Sequence, residues 1–179
     1  MGFVDLEKSY NLFMNTYSWG GAEKNNVYFD EKNRQMLISY RINVARIADE
    51  LSARGRQAEA VKILDKVMAG ISEDSYPYDM PSYFMAVSYY KAAALEKGRK
   101  LTMAITRNME DDVKYILSFN DEDTRNAMAT DVQRDLSVIN YLSGVAGQAG
   151  DQKTSEELGQ KVQILAQQAS TKINMQQMQ

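Results

Sequence analysis

Carboxylates are the only side chains present in quantity that could act as catalytic or metal-binding groups. The chain has no histidine and no cysteine. That removes the commonest general base, the commonest transition-metal ligand and all thiolate chemistry. Two acidic runs remain. Glu110-Asp111-Asp112 falls in a stretch whose apolar residues recur every four positions, so it reads as the solvated face of a helix. Asp121-Glu122-Asp123 lacks the glycine and the alternating ligand spacing of an EF-hand loop. Acids there suit the positive end of a helix dipole, so a helix start is expected and a weak calcium site is the lesser alternative. Neither run calls for a metal or a cofactor, and catalysis by this chain alone is not expected.

A second group of residues could contact a ligand. Trp19 beside Gly20-Gly21, followed by Tyr28 and Asp30, could line a carbohydrate or peptide pocket, because an indole stacks on apolar faces. The competing reading packs Trp19 onto the first helical hairpin. It makes Asp30 a helix cap, or an ion partner for Arg41 or Arg46. The arginines Arg34, Arg41 and Arg46 invite an anion site, but Asp30, Asp49 and Glu50 are near enough in sequence for pairing within the chain.

The positioning elements follow from composition and period. The 179 residues suffice to bury a core, and 44% hydrophobic with 25% charged residues is ordinary for a globular chain. Two prolines and ten glycines are few for a β-sandwich. A net charge of −3 offers no electrostatic footprint for nucleic acid. No stretch approaches the ~20 apolar residues of a membrane helix, so direct membrane insertion is not expected. The Met1-Gly2 start, followed at once by an amphipathic stretch, suggests a piece of a longer protein.

Residues 3–17 place Phe3, Leu6, Tyr10, Phe13, Met14 and Tyr17 on one helical stripe, and Ser18–Gly21 breaks it. Val27–Asp30 reads as extended, with Asp30 or Asn33 as the next N-cap. Helices are expected over 34–54, ended by Gly55, and over 57–71. Ser72–Pro81 is a loop. Further helices are expected from Ser82, over 96–118, over a long segment after Asp123 that Gly147–Gly150 stops, and over 152–174. The Gln/Met-rich Asn174–Gln179 is expected to fray. The fold class is all-α: antiparallel hairpins 34–71, 82–118 and 123–174 in one compact unit, preceded by an arm over 1–33.

The hairpins carry a repeat. A tetratricopeptide hairpin needs large residues where helices interlock and small ones where they approach closely. Val44, Ile47, Ala48, Leu51, Gly55, Ala60 and Leu64 meet that need in phase. So do Ser82, Met85, Ala86, Tyr89, then Ala93 in place of the turn glycine, Gly98 and Thr102. Ile139, Leu142, Ser143, Ala146, Gly150, Ser155 and Gly159 form a degenerate third copy. The expected arrangement is a tetratricopeptide-like right-handed superhelical array. Its concave face would take the positions of the first helices outside the interlocking slots: Ala45, Asp49, Ser52, Tyr83, Val87, Tyr90, Lys91, Asn140 and Gly144. Of these, Asp49, Tyr83, Val87, Tyr90, Lys91 and Asn140 are the candidate partner-binding residues, since aromatics beside a cation suit a peptide groove. Packing of these tyrosines against the C-terminal helices is the alternative.

Residues 10–93 also resemble a known family. Tyr10–Gly21, Asn26–Asp30, Arg34–Leu37, the Tyr40–Arg46 helix, Pro77-Tyr78 and Tyr89–Ala92 are similar to a C-terminal region of the Bacteroidetes DUF2723 membrane proteins, which are related to membrane glycosyltransferases. The resemblance implies a non-catalytic interaction or scaffolding domain, the soluble C-terminal part of a bacterial envelope protein on the periplasmic side of the inner membrane. Its partner would be a protein, a peptide or the membrane portion of its own chain. An accessory sugar-contacting role for Trp19, Tyr28 and Asp30 is the alternative. Self-assembly through the polar last helix is a third.

Overall fold

Caps and left-handed turn residues decide where the helices begin and end. The computed structural model describes residues 5–24 and 27–173, and among them it has eight α-helices and no strand. The chain is all-α. Phe3 of the expected first stripe and the Gln/Met-rich end from Asn174 lie outside the described residues. Two compact units form, residues 1–101 and 102–179, and the N-terminal arm belongs to the first.

In the first unit, α1 (Leu6–Asn11) starts under the Asp5 carboxylate, which accepts the Lys8 N–H at 3.1 Å. The expected single helix over 3–17 gives way to a π-turn at Leu12–Thr16, closed by the Tyr17 N–H on the Leu12 carbonyl at 2.9 Å. The wider turn brings Phe13 and Tyr17 edge to face, with ring centroids 4.8 Å apart. Helix α2 (Glu31–Ala53) begins three residues earlier than its apolar period suggests. Asp30 rather than Asn33 caps it, accepting the Asn33 N–H at 2.9 Å. Helix α3 (Gln57–Gly70) returns along α2, and its buried stripe of Ala60, Ile63, Leu64 and Val67 meets Val44, Ile47, Ala48 and Leu51. A loop with a 3-10 turn at Met80–Ser82 leads to the short α4 (Tyr83–Lys91), which also packs on α2. Helix α5 (Leu95–Ser118), which begins in the first unit and belongs to the second from Thr102 onward, carries the expected four-step stripe, with Leu101, Ile105, Met109, Val113 and Leu117 all buried.

In the second unit, Asp121 caps α6 (Glu122–Ala127), its carboxylate accepting both the N–H and the hydroxyl of Thr124. These two bonds hold the Asp121 carboxyl below its ordinary range. The helix start read from the Asp121-Glu122-Asp123 run is therefore present. The long fifth helix expected to follow is broken at Met128, whose N–H closes a tighter turn on the Arg125 carbonyl. Helix α7 (Ala129–Gln148) then pairs with α8 (Gln152–Ser170).

All three hairpin turns close in the same way. Gly55, Ala93 and Gly150 sit in the left-handed region at φ 76°, 58° and 84°. The residue after each donates its N–H to a carbonyl five residues back: Arg56 to Leu51, Ala94 to Tyr89 and Asp151 to Ala146, each at 2.9 Å. This is the Schellman closure of a helix C-terminus. The three acceptors are the last interlocking positions of the repeat phase read from the sequence. At Ala93 the conformation is held against the clash of a Cβ with the carbonyl, which glycine would not feel. Ala93→Gly is expected to stabilise the protein by about 0.5–1 kcal/mol, because relief of that clash exceeds glycine's entropy cost. Urea denaturation of the two proteins measures it.

Candidate functional site

One open groove in the first unit gathers charged and polar residues. It has a volume of about 610 Å³ and is lined by Arg46, Asp49, Glu50, Ser52 and Ala53 of α2 with Lys91 at the end of α4. The helical period puts Asp49 on the flank of α2 that α4 approaches. There its carboxylate accepts the hydroxyl of the buried Ser88 at 2.6 Å and pairs with the Lys91 ammonium. Glu50 is bound to Arg54 one turn on, at 2.7 Å. Both ion pairs are largely solvated, and such pairs contribute only ~0–1 kcal/mol. An incoming charged ligand can therefore displace them at small cost. The groove offers cations and carboxylates side by side.

The predicted partner-binding residues divide into four groups. Asp49 and Lys91 are brought together across α2 and α4. Val87 and Tyr90 are buried, at 7% and 5% exposure, so they do not line a groove. The Tyr90 ring lies over Gly98, where an added Cβ would stand 3.1 Å from it. The correction has a physical cause: a nine-residue helix with Met85 to Tyr90 all buried has little free face left. Tyr83 is half-buried, with its ring stacked on Phe84 at 4.1 Å between centroids. Asn140 is exposed on α7 and belongs to the second unit.

The arm residues are committed elsewhere. Trp19 is half-buried, and one face of its indole covers Gly70 so closely that an added Cβ would lie 2.2 Å from the ring. Its edge meets Tyr40 at 5.8 Å, and Tyr40 stacks in turn on Tyr17. Asp30 is spent on its cap. Tyr28 stays 83% exposed, with the Arg34 guanidinium 6.0 Å from its ring. Gly70→Ala should lift the indole off α3, costing about 1–3 kcal/mol by overpacking. Because Trp19 is the sole tryptophan, a red shift of its fluorescence with the fold intact by circular dichroism reports this directly.

Arg41 holds the loop between the hairpins. It is 1% exposed, and its guanidinium donates to the carbonyls of Tyr76 at 2.8 Å and Pro77 at 3.0 Å and to the Ser82 hydroxyl at 2.9 Å. The rings of Tyr76 and Tyr78 lie 5.0 and 5.1 Å from its central carbon. Burial lowers its proton affinity, and Asp79, with Tyr78, Tyr76 and Glu73, opposes that. Asp79 accepts the Tyr76 hydroxyl; burial and that bond together push the Tyr76 phenol well up. Arg41 thus turns to the loop, not to Asp30. Sequence reasoning left its role open, although a signal existed: Arg41 falls in phase with Leu37 and Val44 on a buried stripe. Arg41→Lys is expected to cost about 2–4 kcal/mol, since a compact ammonium can neither spread its donors as the two guanidinium nitrogens do nor lie flat between the rings. The midpoint of urea unfolding checks it.

No family model, curated protein or solved structure matches the chain. Among the described residues no cluster of three or more carboxylates could hold a metal ion, and no helix is long and apolar enough to cross a membrane.

Proposed function

We propose that this chain is a non-catalytic interaction module of tetratricopeptide type, and that it takes a peptide or a partner's polar segment in the groove between α2 and α4. The observation that carries the reading is the Asp49–Lys91 pair lining that groove, on two positions the repeat phase assigns to a binding face. The packing of α2 against both α3 and α4 supports it, as do the three equivalent hairpin closures and the fully buried Ala48, Ala60 and Ala86 at the close-approach positions. Following the resemblance of residues 10–93, the domain would be the soluble C-terminal part of a bacterial envelope protein, facing the periplasm. Its partner would then be another envelope protein or the membrane portion of its own chain. The sugar-contacting alternative has less support, because Trp19 spends one face on Gly70 and Asp30 caps α2.

The test is selection of peptides from a random library on the full chain, followed by hydrogen-exchange mapping. Selected peptides should protect α2 and α4. Asp49→Lys should weaken binding about tenfold or more while leaving the helix content unchanged, as expected when one charge of a groove is reversed. Protection confined to α8, or indifference to the reversal, would sink the reading.

A further inference from the structure

The second unit contains a buried acid that its fold does not fully partner. Asp135 occupies the apolar stripe of α7, between Val132 and Ile139 and beside Leu136, and is only 2% exposed. Its Oδ1 accepts from Arg134 at 3.0 Å, whereas its Oδ2 has no hydrogen-bond partner among the described residues. A carboxylate oxygen left bare in such a place pays a desolvation cost that the neutral acid largely avoids. The charges around it do not compensate. Arg134 is attractive but half in solvent and shared with Asp131. Asp131 on the same helix and Asp112 from α5 repel a second negative charge. Two cations of the neighbouring helices are engaged elsewhere. Lys161 of α8 binds Glu110 at 2.8 Å, and Arg125 of α6 donates to the carbonyls of Phe119 and Lys172.

We propose that Asp135 is the proton-binding site of a pH-sensitive device in the second unit, with α7 held firmly while the acid is neutral and loosened when it ionises. Burial, the first cause, raises its proton affinity above that of an ordinary aspartate, and the Arg134 bond only partly offsets this. The sign follows. The folded unit keeps a proton that the unfolded chain releases at about pH 3.9, so the stabilisation is complete below that pH and is lost as pH rises through the folded value. Of the other perturbed carboxyls in this unit, Asp112 is raised by burial and acts in the same sense as Asp135, whereas Glu110 and Asp121 are held below their ordinary range and act in the opposite sense, failing only on acidification.

Hydrogen exchange of the full chain from about pH 4.5 to about pH 8, corrected for intrinsic rates, separates the two. The quantity read is the protection of α7 amides in Asp135→Asn divided by that in the parent. This ratio cancels the behaviour of the carboxyls that do not interact with Asp135, and it should rise at least fivefold (roughly 1 kcal/mol) across that range. A ratio that stays flat or falls overturns the proposal. If Asp135→Asn does not fold, Asp135→Leu, close in shape to the neutral acid and suited to the apolar stripe, takes its place in the same ratio. The same rise of at least fivefold is expected with it; a ratio that stays flat or falls refutes the device.

Discussion

A single buried guanidinium sets the geometry of the first unit. Arg41 is one of few charged groups removed from water, and the structure repays its desolvation with three hydrogen bonds and two aromatic faces. Two of its acceptors are backbone carbonyls of the loop that leaves the first hairpin, and the third is the serine immediately before α4. The loop's path, and with it the position at which α4 meets α2, is fixed by a side chain of α2 itself. The meeting of Asp49 with Ser88 and Lys91 therefore lies downstream of Arg41, although none of the groove residues touches it.

How much of this was legible in the sequence depended on which physical signal each feature carries. Period and turn chemistry are local. The stripe on α2, the stripe on α5, the Asp121 cap and the turn at Gly55 could all be read from neighbours in the chain. Asp49 and Lys91 could be placed on one face because the repeat phase gives the direction of each side chain on its helix, but not as a pair: sequence proximity set Asp49 beside the arginines of its own helix. The burial of Tyr90 was not legible, because the same phase cannot say how much of a short helix its surroundings cover. Arg41 shows a different limit. A cation in phase with leucine and valine is visible as an anomaly, yet two of its three acceptors are main-chain carbonyls some 35 residues away, and carbonyls leave no mark in a sequence.

The two helix breaks that periodicity missed have a common origin. At Leu12–Thr16 and at Met128 the apolar stripe continues, so the sequence suggests one helix in each case. The backbone departs because tertiary contacts reward a change of turn. The π-turn rotates Phe13 and Tyr17 into an aromatic cluster with Tyr40. The tight turn at Met128 frees α6 to carry Arg125 toward the ends of α5 and α8. Asp135 belongs with these cases, since only burial reveals that its position on α7 faces inward.

The hairpin closures carry a consequence for how such a chain can change in length. Each uses backbone atoms and one left-handed residue, so almost any side chains can flank it, as the differing compositions around Gly55, Ala93 and Gly150 illustrate. The segments between hairpins are under no such rule: one is a loop pinned by an arginine, the other holds an extra helix, α6. Insertions and deletions are thus accommodated between hairpins and resisted within them. A protein built this way can acquire or shed a whole hairpin and keep the remaining ones in register.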